Sequence, residues 1–301
     1  MKVKTFILHI FLFIILFLVI DFSISKTLEK GINTFYGLDS HSHILFIGHS
    51  ELMLAVDKVK MEEELHCKIS KYTREGVNVT DRLAMIKHYF DLPSSDSLKM
   101  LVYGVDQFIF TGEKLSANSY KLFYPFMDNK IIDEYVKENA SSIYDYLSHK
   151  IVRTSRYTDL LVNAAFRGYM RNWDNFKVGN VNIEQLKSDL ANGAERTIKF
   201  EEDNIKAFEE TLSFLQQKGV RVFLINTPMV DLLNEAEPEK YAQIISMFKN
   251  YESQYSNLVF LDFNRKEFTA DYSLFFDYIH LNKKGQEIVS KAIIQELKSF
   301  L

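Results

Sequence analysis

The chain opens on an almost unbroken apolar run. From Phe6 to Ile20 only His9 interrupts a series of Phe, Ile, Leu and Val. With Asp21 to Ile24 included, residues 5–24 reach the roughly 20 residues that a bilayer core demands. Lys2 and Lys4 precede the run and no comparable basic cluster follows it. The positive-inside bias therefore puts residues 1–4 in the cytoplasm and the body of the chain outside. A cleaved signal peptide would leave the body outside as well. However, Phe22-Ser23-Ile24-Ser25 is a poor cleavage site, and no cysteine lies there for lipidation. The expectation is a transmembrane signal-anchor at 5–24, then a linker at 25–42.

From His43 the pattern changes to alternating strands and helices. Ile44-Leu45-Phe46-Ile47 is a short apolar run suited to a strand covered on both faces, and Glu51 to His66 reads as a helix. A second strand follows at Cys67–Tyr72, a helix capped by Thr80, and a third strand at Met100–Tyr103. Ile205, Phe208, Leu212 and Leu215 recur at helical spacing and Gly219 stops that helix. Val220–Ile225 then reads as a fourth strand. Tyr241, Ile244, Ile245 and Phe248 mark another helix, Leu258–Leu261 a fifth strand, and Gly285 to Leu301 a closing helix. Such alternation predicts a three-layer α/β/α, flavodoxin-like domain over 43–301 with five parallel strands. Residues 108–200, rich in aromatics such as Tyr120, Tyr144 and Trp173, are too long for a simple crossover. They read as a helical insertion, either over the strand ends where such sheets bind ligands or as plain structural elaboration.

Composition narrows the function. A net charge of −4 and a pI near 6.1, with no dense Lys/Arg block, argue against a nucleic-acid partner. A single cysteine, Cys67, excludes an intrachain disulfide and a cysteine-cluster metal site. His41 and His43 flank Ser42 without an obvious third ligand, which speaks against a metal there.

Ser50 stands where a strand ends and a helix begins, a position that suits a nucleophile and equally a helix N-cap. Far along the chain, Asp277-Tyr278-Ile279-His280 sets a carboxylate and an imidazole three residues apart beyond the last strand. Asp277 can then hold one ring nitrogen of His280 while the other faces a nucleophile. His49 either tunes the pocket or caps it. Asn226-Thr227-Pro228, ending the fourth strand, either binds substrate or turns the chain.

At these residues the chain resembles the SGNH (GDSL-like) hydrolase superfamily, with its early nucleophile serine and late Asp-x-x-His. The likeness covers roughly Ile44 to Leu301 outside the aromatic insertion. It looks closest to membrane-anchored bacterial proteins that modify envelope polymers with acyl groups, the teichoic-acid D-alanine transfer proteins among them. Their motifs resemble Gly48-His49-Ser50-Glu51 and Ile279-His280-Leu281. The resemblance implies a catalytic triad of Ser50, Asp277 and His280, with no cofactor and no metal. It implies a single-pass protein of the bacterial cell membrane that acts on acylated envelope glycans or polymers, with a membrane-bound O-acyltransferase as a candidate partner. It also implies oxyanion donors at Ser50 and at Gly76. The family's asparagine after the third strand has no counterpart in Tyr103-Gly104-Val105-Asp106-Gln107, where Gln107 is the substitute amide. That departure leaves open a catalytically degenerate domain that serves as a scaffold.

Overall fold

The computed structural model describes residues 2–112, 117–193 and 196–301. In chain order its helices begin with α1 (Lys2–Tyr36), α2 (Ser50–Ala55), α3 (Lys58–Leu65), α4 (Val79–Phe90), α5 (Lys130–Asn139) and α6 (Ile143–Ile151). There follow α7 (Asp159–Tyr169), α8 (Ile183–Ala191), α9 (Glu202–Gln217), α10 (Asp231–Ala236), α11 (Pro238–Gln254), α12 (Lys266–Thr269) and α13 (Lys283–Lys298). The strands are β1 (Ile44–Gly48), β2 (Ile69–Thr73), β3 (Met100–Val105), β4 (Arg221–Asn226) and β5 (Leu258–Asp262). The chain divides into two compact units, one of residues 1–36 and 117–172, the other of 37–116 and 173–301.

In the larger unit five parallel strands pair in the order β2-β1-β3-β4-β5. Their near-continuous Ile, Leu, Val and Phe sequences follow from burial on both faces. Ile44, Phe46, Met100, Val102, Phe223 and Ile225 point to one side and share a core with Leu52 of α2, Met61 of α3 and Val289, Ile293 and Leu297 of α13. On the other side Tyr103 meets Phe208 of α9 edge-on at 5.5 Å, and Phe248 of α11 lies 5.4 Å from Phe260. Each such buried side chain contributes about 1.5–3 kcal/mol relative to exposure. The strand order reverses direction at β1, between β2 and β3, so the crevice at the carboxyl ends of β1 and β3 is where ligands of such sheets bind.

The helix expected at 51–66 is broken. Val56 is extended, and Asp57 caps a new helix by accepting the Lys60 N–H through its side chain. The Asp57 N–H itself goes to Ser290 Oγ at 2.8 Å rather than back into a helix. Helix α4 is capped by Asn78, not Thr80, in a reciprocal box with Asp81 that satisfies two amides at once.

The smaller unit gathers α1 with α5, α6 and α7. Helix α1 is long and apolar enough to cross a membrane. It does not stop where the sequence pattern places a linker, but runs on through residues 25–36. The reason is a second stripe: Asp21, Ser25, Ile32 and Tyr36 recur on one face and are buried. α7 packs closely there, since a Cβ on Gly31 would run into the Ala165 carbonyl and one on Gly168 into that of Gly31. The segment expected as one insertion, 108–200, is therefore shared. Residues 117–172 belong with α1, and 173–200 return to the α/β unit. Its residues 113–116 and 194–195 lie outside the described residues.

Candidate active site

Glycine lets α2 approach the strand ends. A Cβ built on Gly104 of β3 would lie 2.8 Å from Leu52 Cβ, and one on Gly48 of β1 would lie 3.0 Å from it. Leu52 is 1% exposed. It thus wedges the first turn of α2, and Ser50 with it, over the β1–β3 boundary. His49 is the N-cap of α2, and Ser50 is its first residue. The cap role open to Ser50 from sequence is thereby filled by its neighbour, leaving the Ser50 hydroxyl for other partners.

The second half of the site comes from the loop between β5 and α13. Phe275 bridges Leu281 in antiparallel fashion and the Phe276 N–H donates to the His280 carbonyl at 2.8 Å, so residues 276–280 form a tight loop. Asp277 Oδ1 accepts the N–H groups of Ile279 (3.0 Å) and His280 (2.8 Å), leaving Oδ2 to meet His280 Nδ1 at 2.8 Å. His280 Nε2 in turn lies 2.8 Å from Ser50 Oγ. Asp277, His280 and Ser50 thus form one continuous hydrogen-bonded chain across 230 residues of sequence.

Two residues of α13 latch this loop to the nucleophile helix. Gln286 Nε2 donates to the Leu54 carbonyl at 2.7 Å, and Ser290 Oγ donates to the Ala55 carbonyl at 2.7 Å. Both are buried. They read in sequence as ordinary helix positions, and no local signal marks them, because their partners lie about 230 residues away.

Glu51 Oε2 lies 2.9 Å from Ser50 Oγ, a second acceptor that competes with His280 Nε2 for the single hydroxyl proton. His49 stands between two carboxylates, with Nδ1 against Glu51 and Nε2 2.6 Å from Asp106 Oδ2. Burial lowers the His49 pKa, but Glu51 and Asp106 outweigh both burial and the nearby Arg82, and the net shift is upward. Burial would likewise raise Glu51 and Asp106, yet His49 pulls both below the ordinary carboxylate range. The three side chains therefore form a buried carboxylate–imidazole–carboxylate row beside the nucleophile. Among the described residues they are also the His/Cys/Asp/Glu group close enough to share an ion. Each His49 nitrogen is directed at a different carboxylate, however, so the ring occupies the space a cation would need. Burial lowers the His280 pKa, but Asp277, with help from Glu51, more than reverses it. Asp277 is held below its ordinary value because the imidazole outweighs burial.

The three expected oxyanion donors fall on adjacent strand ends. Ser50 follows β1, which lies between β2 and β3; Gly76 lies in the turn after β2 with φ +80°, and Gln107 follows β3. Gln107 is 2% exposed and neither atom of its side-chain amide is hydrogen-bonded. A buried amide without partners is costly, so such a group warrants an explanation. Asp106 Oδ2 is engaged by His49, and its Oδ1 accepts the Phe108 N–H at 2.6 Å. Asn226 Nδ2 donates to Asp262 Oδ1 at 2.9 Å, tying β4 to β5. His43 opens β1, its carbonyl accepting the Lys99 and Met100 N–H groups.

No protein family matches the chain, and no curated protein matches it. Among solved structures it is similar to a protein from Streptococcus pneumonia named as a platelet activating factor. The likeness covers 90% of this chain and 93% of the other at 12% identity, with a TM-score of 0.41. A likeness that distant carries nothing about chemistry.

Proposed function

We propose that this chain is a membrane-anchored serine esterase or O-acyltransferase of the SGNH (GDSL-like) type, acting outside the cytoplasm of a bacterium. The observation that carries the reading is the unbroken Asp277–His280–Ser50 chain of hydrogen bonds at 2.8 Å each. In neutral form His280 takes the Ser50 proton on Nε2 while Oγ bonds to the acyl carbon of an ester. The electron pair of the C=O bond moves to the carbonyl oxygen, for which the Ser50 N–H, the Gly76 N–H and the Gln107 amide serve as the donors in this reading. Collapse expels the alcohol, which takes the proton from His280, and leaves an acyl-enzyme on Ser50. Water or a sugar hydroxyl then gives its proton to His280 and bonds to the acyl carbon, and Ser50 Oγ departs with that proton, restoring the hydroxyl and the neutral imidazole. Asp277 fixes the ring tautomer and stabilises the imidazolium throughout. The Gly48-His49-Ser50-Glu51 and Ile279-His280-Leu281 motifs and the N-terminal apolar helix favour acylated cell-envelope polymers as substrates.

The test is to mix the full-length protein in detergent with an activated acyl ester, quench early, and find the acyl group by peptide mass spectrometry. An acyl adduct on Ser50, absent from His280→Ala, is the expected result. Ester turnover without any adduct on Ser50 would overturn it. A second reading has a specific observation behind it. The carboxylates of Glu51 and Asp106, buried within reach of His49 beside Ser50, oppose a developing oxyanion. They favour a domain whose triad is vestigial and which serves as a scaffold for a membrane-bound acyltransferase; the same experiment then finds neither adduct nor turnover.

A further inference from the structure

Helix α1 wears its polarity inside out. From Val3 to Ile24 every apolar side chain is exposed, while the acidic residue in that stretch, Asp21, is 3% exposed. Its carboxylate is fully engaged by one short segment: Oδ2 accepts the Arg153 N–H at 2.7 Å, and Oδ1 accepts the Thr154 N–H at 2.8 Å and the Thr154 hydroxyl at 2.5 Å. The Arg153 guanidinium lies over the Phe22 ring, 4.9 Å from its centre. A bilayer core of about 30 Å accommodates about 20 helical residues at 1.5 Å each. Counted from the start of the apolar run, its far edge falls near residues 22–24, so Asp21 and the segment bound to it lie at that edge.

Two residues before Arg153 ends helix α6, which is also built inside out. Asp145, Tyr146 and His149 face the protein: Asp145 accepts the Tyr120 and Tyr124 hydroxyls, Tyr146 donates to Asp133, and His149 stacks on Tyr124 at 3.9 Å. Its exposed apolar side chains are Ile143, Tyr144, Leu147 and Ile151, whose spacing puts them on one helical face with the small Ser148 at its edge, and Leu160 at the start of α7 is exposed as well. Tyr157, which precedes α7, donates to the Ser25 carbonyl, one turn of α1 beyond Asp21. A belt of charge follows, in which Asp128 pairs with Lys26, Arg153 and Arg156. Along α1 the exposed apolar stretch, Asp21 with the 153–154 segment, and Lys26 with the Asp128 cluster thus follow one another, as acyl chains and head groups do.

We infer that the exposed face of α6, with Leu160, is embedded in the bilayer leaflet next to the globular chain, so that the smaller unit is held by an interfacial helix as well as by the transmembrane one. This rests on the membrane-anchor reading of α1 and goes beyond it. The occupant is lipid because α6 ends two residues before the Arg153–Thr154 segment that Asp21 holds against the apolar helix, at the edge of the membrane-spanning stretch.

The full-length chain, with Trp173→Phe to remove the native tryptophan, would carry one probe at a time: Phe13→Trp, Tyr144→Trp, Leu147→Trp or Met170→Trp. Each is reconstituted in phosphatidylcholine–phosphatidylglycerol vesicles whose acyl chains are brominated either near the carbonyl or near the methyl end, and circular dichroism checks the fold. The probes at 144 and 147 should lose emission, more to the shallow bromines than to the deep ones, and the probe at 13 more to the deep ones. Met170 is 75% exposed but belongs to the far end of α7, so its probe should stay bright. If the probes at 144 and 147 stay as bright as that at 170 while the one at 13 is quenched, the anchor stands and this inference falls. If the probe at 13 also stays bright, the anchor reading falls first and the inference with it.

Discussion

Gly104→Ala tests whether the packing of α2, rather than the identity of the triad alone, makes the site. The added Cβ would sit 2.8 Å from Leu52 Cβ, whereas ordinary van der Waals contact begins at 3.4 Å. Leu52 cannot rotate away, because the clashing atom is its own Cβ. The first turn of α2 must therefore lift by roughly half an ångström or more, a strain of about 1–3 kcal/mol and a fall of several degrees in Tm. Ser50 is two residues from Leu52, so the lift lengthens the 2.8 Å contact with His280 Nε2. A misplacement approaching 1 Å costs up to about a hundredfold in rate. A tenfold or greater loss in the rate of fluorophosphonate labelling is expected, measured on folded protein well below its Tm. Gly48→Ala, with its contact at 3.0 Å, should act in the same direction but less. Labelling at the wild-type rate in a Gly104→Ala protein of clearly lowered Tm would refute the positioning argument.

Gln107→Ala should lower turnover by roughly two orders of magnitude while leaving the fold intact, as expected for loss of one oxyanion donor; wild-type turnover would remove Gln107 from the site. Glu51→Gln removes a charge that helps hold the His280 pKa above its ordinary value. Because the base must be neutral, the acid limb of the pH–labelling profile should move to lower pH, and an unmoved or rising limb would count against the Glu51–His280 coupling. His88 is buried and its pKa is lowered by burial to about 4. The unfolded chain protonates near 6.5 and the folded one does not, so stability present above pH 6.5 is lost as the pH falls toward 4. Between pH 6.5 and 5 that loss is roughly 2 kcal/mol. His88→Gln should flatten the dependence in urea titrations, and an equal slope in both proteins would show that His88 is not its source.

The strands were legible because burial on both faces writes itself as unbroken apolar runs: Ile44–Ile47 and Val222–Ile225 have no other use for such sequences. Ser50 and Asp277-x-x-His280 were legible because each half carries a local pattern at the end of a strand or loop. Other features lack such patterns. The break in the helix at Val56–Asp57 depends on Ser290, and the latch depends on Gln286, both more than 200 residues away. The continuation of α1 to Tyr36 depends on α7, whose Gly168 must meet Gly31. Glu51 was visible as the residue after the nucleophile, but its link to Asp106 through His49 is made only when β1 and β3 lie side by side. The aromatic segment showed helical content but not its division between two units, since that division is set by tertiary contacts.

The account turns on whether Ser50 is an activated nucleophile. The most direct measurement is fluorophosphonate labelling of the full-length protein in detergent, with the adduct located by peptide mass spectrometry and its formation followed against pH. The account predicts one adduct, on Ser50, lost in Ser50→Ala and in His280→Ala, with a rate that rises as His280 becomes neutral above the ordinary histidine pKa of about 6.5. A folded protein that takes up no label, or takes it up on another serine, would contradict the account.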